Sequence, residues 1–215
     1  MKVGIIGSGI VGRVLAASFL EQSHEVMLGT RDISKKEVVK WKNENKNGAL
    51  GSFQETAQFG EIIVLAVGGL VVEDAINLAG KEHFSHKVVI DATNPIAAVP
   101  PENGVLKFFT TLEESLMERI QKQVPDAKVV KAFNSVGNAS MYKPTFNGII
   151  PTMFICGNDE EAKQKVTNIL TSFGWETEDM GKVESARAIE PLCILWCIPG
   201  FIRNQWTHAF KVLKK

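Results

Sequence analysis

A glycine-rich loop near the start of the chain constrains the fold more than any other feature. Residues 1–12 read MKVGIIGSGIVG, so Gly7, Gly9 and Gly12 follow an apolar run and lead into the helical pattern VGRVLAASFLEQS. In a G-x-G-x-x-G loop of this kind, Gly7 makes the tight turn, Gly9 lets backbone approach a pyrophosphate, and Gly12 lets helix and strand pack closely. Because a helix N-terminus also offers free N–H groups, the loop predicts a dinucleotide site.

Apolar runs of strand length alternate with helical patterns along most of the chain. The runs are KVGIIG, EVMLG, EIIVLAV, KVVIDAT, KVVKAF and TMFICG, and later helical patterns are VVEDAINLAG, TLEESLMERIQKQ and DEEAKQKVTNILTSFG. Buried parallel strands read as continuous Val, Ile and Leu runs, so the alternation predicts a doubly wound, mainly parallel α/β sheet of Rossmann type. Asp159 is expected to cap one helix and Gly80 to end another.

The pattern changes after residue 181. Residues 1–181 are predicted to form the dinucleotide-binding domain, and residues 182–215 a short helical segment that Pro191 and Pro199 break into pieces. This segment is rich in aromatic residues, which suits a dimer contact, a lid over the second substrate, or core packing. Its apolar run PLCILWCIPGFI is far shorter than the ~20 residues of a membrane helix, so we expect it to pack against protein.

Charge and cysteine content narrow the range of partners. The 215 residues include 24 basic and 24 acidic side chains, giving a formal net charge of zero. A neutral chain argues against nucleic acid or an anionic membrane surface as the main partner. Cys156, Cys193 and Cys197 show neither disulfide-framework nor convincing metal-ligand spacing, which fits a cytoplasmic protein without a metal site.

The stretch LGTRD indicates which dinucleotide the loop would hold. A free ribose 2′-hydroxyl is bound by an acidic side chain about 20 residues beyond the loop. Thr30 and Arg31 stand there instead, with Lys35 and Lys36 close by. A hydroxyl followed by a guanidinium suits a 2′-phosphate, so the stretch predicts NADP(H). Asp32 is a competing acid of the NAD type, which we expect to cap the following turn.

The residues that usually transfer protons are not predicted at the hydride centre. Enzymes that oxidise alcohols place His, Lys or Tyr there. The four histidines lie away from the carboxyl ends of the predicted strands, and the single tyrosine, Tyr142, is expected in a loop. This pattern favours direct hydride transfer between two redox rings, in which the protein supplies positioning and electrostatics and no side chain is catalytic.

Five motifs in order, GIIGSGIVG, LGTRD, DATNP, VVKAFNSVG and FICGND, resemble those of the NADP oxidoreductases that depend on the deazaflavin coenzyme F420. The set is also similar to the cytosolic NADPH-oxidising domain of the six-transmembrane (STEAP) metalloreductases. The resemblance covers nearly the whole chain and weakens after residue 181. It implies an NADP(H)-dependent oxidoreductase that passes a hydride between nicotinamide and a flavin-like or deazaflavin acceptor.

The resemblance also implies which residues bind the cofactor. Ser8, Ile10 and Val11 would line the pyrophosphate loop, while Thr30 and Arg31 would hold the 2′-phosphate. The nicotinamide would be surrounded by residues that follow the fourth, fifth and sixth strands: Val67, Gly68, Asn94, Pro95, Ala132, Phe133 and Asn134. The predicted fold independently indicates the same positions, because ligands of open α/β sheets bind beyond the carboxyl ends of the strands.

A second hypothesis is a sensing module that binds NADP(H) and regulates a partner without turnover. An enzyme needs an open ledge formed by Gly68, Asn94 and Ala132, whereas a sensor could bury the nicotinamide under the terminal helix. In either case we expect a homodimer in the cytoplasm.

Overall fold

Helices cover both faces of an eight-stranded sheet in the computed structural model, which describes residues 1–215. The strands are β1 Lys2–Ile6, β2 Glu25–Gly29, β3 Ala49–Gly51, β4 Ile62–Leu65, β5 Val88–Asp91, β6 Lys128–Lys131, β7 Thr152–Gly157 and β8 Glu176–Asp179. The helices are α1 Ile10–Glu21, α2 Lys36–Glu44, α3 Phe53–Phe59, α4 Val72–Ala79, α5 Leu116–Gln123, α6 Glu160–Ser172, α7 Ala186–Ile189 and α8 Leu192–Arg203.

The strand order is β3-β2-β1-β4-β5-β6-β7-β8. All neighbours from β3 to β6 are parallel, whereas β7 is antiparallel to β6 and parallel to β8. The order reverses between β1 and β4, as in the nucleotide-binding Rossmann folds, and the crevice above such a reversal binds the ligand. The predicted mainly parallel, doubly wound sheet is therefore confirmed.

Side chains of the central strands alternate between two apolar cores. In β4, Ile62 and Val64 face the core that also holds Phe19 of α1, whereas Ile63 and Leu65 face the core under α4 and α5. All four residues of this strand are fully buried. A strand covered on both faces has no position for a polar side chain, which is why its sequence reads as one apolar run.

Helix ends follow the predicted signals with one difference. The Asp159 carboxylate caps α6, and Gly80 ends α4 with a φ of +81°. The helix predicted over TLEESLMERIQKQ begins only at Leu116, later than expected. Ser115 and Glu118 form a reciprocal capping box there, which satisfies the first free N–H groups and fixes the start of the helix.

The C-terminal segment is less broken than its prolines suggest. Helix α8 runs without interruption from Leu192 to Arg203 although Pro199 lies inside it, so the predicted break at Pro199 is wrong. Proline removes one helical hydrogen bond, but Cys193 and Trp196 on the same helix are buried against the rest of the protein and hold it in place. Beyond the helix the chain returns to the sheet, where Thr152 N donates to Phe210 O at 2.9 Å.

One helical stretch, Val183–Arg203, has the length and composition of a membrane span. It covers 21 residues, and an 18-residue window within it has a mean hydropathy of 1.3, with 39 % of that window buried inside the protein. A core helix can pass the same test, and Glu190 in its middle lies 2.9 Å from Lys131 in a fully buried ion pair. The stretch is thus tied into the fold, and its apolar character is a weak indication of a membrane.

Candidate functional site

The glycine loop joins the carboxyl end of β1 to α1 and has the geometry of a pyrophosphate loop. Gly7 has a φ of +119°, and a Cβ there would lie 2.5 Å from Ala66 O. A Cβ on Gly12 would lie 1.8 Å from Gly7 O, so helix and loop touch at this point. At Gly9, by contrast, nothing lies within 4 Å of the Cβ position. The outer glycines are required by the protein itself, whereas Gly9 leaves room for a ligand.

The N-terminus of α1 is free to receive that ligand. No side chain caps the helix and no acidic residue lies in its first turn. Ile10 begins the helix with its side chain exposed, and Val11 packs against the core behind the loop. The free N–H groups and the positive end of the helix dipole therefore face the space beside Gly9.

Hydroxyl groups connect the loop to the end of β2. Ser8 Oγ donates to Thr30 Oγ1 at 2.9 Å, and Ser8 O accepts from the Arg13 guanidinium at 2.7 Å. Thr30 is buried, and its backbone N–H donates to Gly51 O at 2.9 Å. This chain of contacts fixes the distance between the phosphate loop and the place predicted for the 2′-phosphate.

The charged residues after β2 fall into two groups, one bonded within the protein and one free. The Asp32 carboxylate accepts from the Ser34 N–H at 2.8 Å and from its hydroxyl at 2.6 Å, and these bonds lower the pKa of Asp32. Its role as a turn cap is thus confirmed. Arg31 and Lys35 line the cleft next to the loop, and neither side chain makes a hydrogen bond or ion pair with the protein. Two free cations beside Thr30 fit a phosphate group.

The structure brings eight of the predicted residues together in one cleft of about 240 Å³: Gly7, Ser8, Gly9, Thr30, Arg31, Lys35, Val67 and Gly68. Its other wall was missed by the sequence analysis and consists of Phe53, Ala66, Val71, Asp74, Ala75 and Leu78. The last four recur at helical spacing in VVEDAINLAG. That spacing marks a common face, but it does not say which face meets a ligand.

The residues predicted around the nicotinamide lie at the carboxyl ends of β4, β5 and β6. Val67 and Gly68 reach the cleft, and the space beside Gly68 is open. Further along the edge, Asn94 Nδ2 donates to Asn134 O at 2.8 Å, and Asn134 Nδ2 donates to Ile189 O at 2.9 Å. The two amides therefore link the loops after β5 and β6 to α7.

Three other predicted residues contribute little side-chain surface to this edge. Ala132, Phe133 and Pro95 are buried. Phe133 has a φ of +63° and directs its ring into the core, 6.1 Å from the ring of Phe173. A ligand over β6 would meet Ala132 and Phe133 through their backbone. Asn134 is also buried, at 3 % exposure, so Asn94 is the partly exposed polar side chain at this edge.

An ion cluster beneath these loops was also missed by the sequence analysis. Lys131, at the end of β6, is fully buried, and its Nζ lies 2.7 Å from Asp91 Oδ2 and 2.9 Å from Glu190 Oε1. Asp91 and Lys131 are paired neighbours on β5 and β6. Two predicted neighbouring strands end in side chains of opposite charge, so the pair of Asp91 and Lys131 could have been found from the sequence. Glu190, the third residue of the cluster, lies far along the chain and could not.

The cluster also orders the backbone around it. Lys131 Nζ donates to Thr93 O at 3.0 Å, and the Glu190 carboxylate accepts from the N–H groups of Leu116 and Met117 at 3.0 Å each. Burial alone lowers the pKa of Lys131, but its two carboxylate neighbours outweigh burial and hold that pKa above its ordinary value. The ammonium thus keeps its proton and acts as a fixed structural charge.

The side chains considered for proton transfer lie elsewhere. Tyr142 presents its ring edge to Phe173 at 4.9 Å, and its hydroxyl accepts from Gln22 Nε2 at 2.9 Å, as expected of a loop residue. None of the four histidines lines the cleft. His208 stacks on Trp196 at 5.0 Å and helps to fasten the C-terminal tail.

Fold and site together define an NADP(H)-binding oxidoreductase of Rossmann type. Comparison with known proteins agrees: the family described as NADP oxidoreductase, coenzyme F420-dependent, matches residues 2–95. A crystal structure from Arthrobacter sp. FB24, provisionally described as an F420-dependent NADP-reductase, superposes with a TM-score of 0.94 at 30 % identity and covers 100 % of both chains. The chain belongs to this family of F420-dependent NADP oxidoreductases.

Two curated relatives extend the comparison. The F420-dependent NADP reductase of Methanocaldococcus jannaschii is 26 % identical over 202 residues, which cover 89 % of each chain. Metalloreductase STEAP3 of Rattus norvegicus is 29 % identical over 206 residues, which cover 94 % of this chain but 39 % of that protein. The chain thus spans most of the archaeal enzyme and well under half of the metalloreductase.

Proposed function

We propose that the protein transfers a hydride between NADP(H) and a flavin-like or deazaflavin acceptor, with the deazaflavin coenzyme F420 as the first candidate. The observation that carries this proposal is the composition of the nicotinamide edge. Its polar side chains are the neutral amides of Asn94 and Asn134, and the charged groups below them are bonded to one another. Such an edge can orient a ring and offers no free acid or base, which suits ring-to-ring hydride transfer because the hydride step itself needs no proton donor.

The roles of the residues follow from their positions. When bound, NADP(H) supplies or accepts the hydride at its nicotinamide ring. The backbone at Gly9 and the start of α1 would hold the pyrophosphate, while Thr30, Arg31 and Lys35 would hold the 2′-phosphate. The nicotinamide would lie along the remaining predicted positions: Val67, Gly68, Asn94, Pro95, Ala132, Phe133 and Asn134.

The test is the loss of NADPH absorbance in the presence of several acceptors. The panel contains coenzyme F420, a free flavin, a quinone and a ferric chelate, with NADH as the control donor. We expect the deazaflavin or the flavin to be reduced fastest and NADPH to be used at least about tenfold faster than NADH, given the free cations beside Thr30. Tight NADPH binding without oxidation by any acceptor would contradict the proposal and favour the sensing module.

We further propose that residues 182–215 serve two purposes. Ile189 and Trp196 are buried and belong to the fold, whereas Phe201 and Ile202 at the end of α8 are 45 % and 56 % exposed. This exposed end would form the homodimer contact or the lid that the sequence suggests. Light scattering of the wild type and of Ile202→Glu tests the dimer, which the added charge should dissociate.

A further inference from the structure

One wall of the cleft carries exposed apolar side chains that pack into neither apolar core of the protein. Val71, Asp74, Ala75 and Leu78 are spaced three, one and three residues apart, which places them on one face of α4 and the turn before it. All four line the cleft, and we name them the α4 wall. Val71 and Leu78 are 43 % and 60 % exposed and belong to neither apolar core, so they present an apolar surface to whatever the cleft binds.

Asp74 is the charged member of the α4 wall. Its carboxylate is exposed and has no hydrogen bond or ion pair with the protein, unlike Asp32, whose carboxylate is occupied by Ser34. The opposite wall carries Arg31 and Lys35, which are also without partners. The cleft therefore has one cationic wall and one anionic wall, and no ion pair joins them.

A carboxylate in a cleft for an anionic ligand is unfavourable unless it meets a hydrogen-bond donor of that ligand. The phosphates of a dinucleotide repel it and would lie at the opposite wall. The adenine base has two apolar faces and one exocyclic amino group that donates hydrogen bonds. An apolar surface with a single free carboxylate is complementary to these two properties at once.

We propose that the α4 wall binds the purine base and that Asp74 makes the protein selective for a 6-aminopurine. Val71 and Leu78 contact a face of the ring, and the Asp74 carboxylate accepts a hydrogen bond from the 6-amino group. The proposal rests on NADP(H) binding in this cleft, as set out under the proposed function. A base with a 6-oxo group would turn a carbonyl oxygen toward the carboxylate, which replaces a charge-assisted hydrogen bond by repulsion.

The experiment compares the dissociation constants of NADPH and of its hypoxanthine analogue, in which the 6-amino group is replaced by oxygen. Both are measured by fluorescence titration in the wild type, Asp74→Ala, Asp74→Asn and Glu73→Gln. Glu73 is the neighbouring exposed acid on α4 but does not line the cleft, so its variant removes the same charge off the wall. Melting temperatures confirm that each variant is folded.

We expect the wild type and Glu73→Gln to prefer NADPH by about tenfold, the scale of one hydrogen bond to a charged group at a partly exposed site. Asp74→Ala should bind both dinucleotides within about twofold of each other, and Asp74→Asn, whose amide can also donate, should reduce or reverse the preference. Glu73→Gln removes a negative charge near the cleft and should raise the affinity for both dinucleotides alike, so the ratio of the two constants is the decisive quantity.

The proposal is overturned if the wild type binds the two dinucleotides equally, or if Asp74→Ala keeps the wild-type ratio. A ratio that falls equally in Glu73→Gln also overturns it, because the effect would then be general electrostatics. If the wild type shows the preference yet reduces no acceptor, the base-reading role stands and the proposed hydride transfer fails. Absence of NADPH binding in the wild type overturns both.

Discussion

The end of the cleft proposed to bind phosphates and the neighbouring edge proposed to bind the nicotinamide are built in opposite ways. We call them the phosphate end and the nicotinamide end. At the phosphate end, Gly9 leaves open space, and Arg31 and Lys35 have no partners within the protein. At the nicotinamide end, buried Lys131 pairs with both Asp91 and Glu190, and Lys131 and Glu190 also bond to nearby backbone groups. The groups proposed to bind phosphates thus have no partners within the protein, whereas the edge proposed for the nicotinamide is fixed by bonds that join β5, β6, the start of α5 and the end of α7.

This difference has an energetic meaning. A phosphate can be bound by several donors in slightly different arrangements, so flexible surface cations are sufficient. Hydride transfer depends on a narrow range of distance and orientation, and small displacements of the rings are costly. Mutations at the nicotinamide end should thus act first on folding, and mutations at the phosphate end should act mainly on binding.

The strongest test of this contrast is Lys131→Met. It leaves Asp91 and Glu190 buried without their counter-ion, and breaking a buried ion pair in this way costs about 3–5 kcal/mol of the free energy of unfolding. Lys128→Met is the matched control, because Lys128 lies on the same strand but pairs with Asp159 at a 33 % exposed position. Its loss should be about 0–1 kcal/mol in urea unfolding. Equal losses for the two variants would show that the cluster is not a structural clamp.

Two glycine substitutions test the phosphate end. Gly12→Ala places a methyl group 1.8 Å from Gly7 O, so the helix must move. We expect a loss of about 1–3 kcal/mol in unfolding free energy together with at least about tenfold weaker NADPH binding. Gly9→Ala should weaken NADPH binding similarly but change stability by less than about 0.5 kcal/mol, because its Cβ meets nothing in the protein. Unchanged binding in Gly9→Ala would show that no ligand approaches this point.

Sequence alone predicted which residues line the proposed phosphate end of the cleft, because their signals are local. The glycines, Thr30 and Arg31 lie on two strand ends that are close in the chain, and each has a recognised physical task. The same local logic found most strands, since β4 is buried on both faces and has to be apolar. Short elements with weak patterns were missed, including the three-residue β3 and the partly exposed β8.

The nicotinamide end depends on contacts that no local pattern contains. Glu190 contacts Lys131, which lies 59 residues earlier in the chain, and the start of α5, which lies 74 residues earlier, and only the folded chain shows that these groups meet. The α4 wall was missed for a different reason. Its helical spacing was visible, but the sequence does not tell which face of the helix borders the cleft. Pro199 was misjudged because packing outweighs its local preference.

A smaller effect, confined to binding, is expected for Arg31→Ala. Removal of the guanidinium should weaken NADPH binding by about 1.5–3 kcal/mol, the scale of hydrogen bonds to a charged group. Affinity for NADH should hardly change, because that dinucleotide lacks the 2′-phosphate. Lys36→Ala is the control, since Lys36 does not line the cleft. An unchanged NADPH dissociation constant in Arg31→Ala would contradict the assignment of the 2′-phosphate site. The free energy of unfolding of both variants should stay within about 0.5 kcal/mol of the wild type.

The smallest effect is expected for a second connection between α7 and α5, the partly exposed ion pair of Arg187 with Glu118. It acts in addition to the buried contacts of Glu190 with α5. The Arg187 guanidinium donates to both oxygens of Glu118, at 2.9 Å and 2.5 Å, and together with bonds from Ser115 it lowers the pKa of Glu118 to about 2 against its burial. Because the folded state has the lower pKa, this contribution to stability is complete above the ordinary value of 4.5 and is lost as the pH falls from there toward 2.

Arg187→Ala should therefore destabilise the protein at pH 7, by about 1 kcal/mol because the Arg187 side chain is 39 % exposed. The difference from the wild type should shrink as the pH falls below 4.5 and vanish near pH 2, which urea unfolding at a series of pH values measures. Lys40→Ala, at an exposed pair with Glu44, should show less than about 0.5 kcal/mol at every pH. A difference for Arg187→Ala that does not depend on pH would mean that the side chain acts through packing on α5, so that Glu190 alone carries the ionic connection between the two helices.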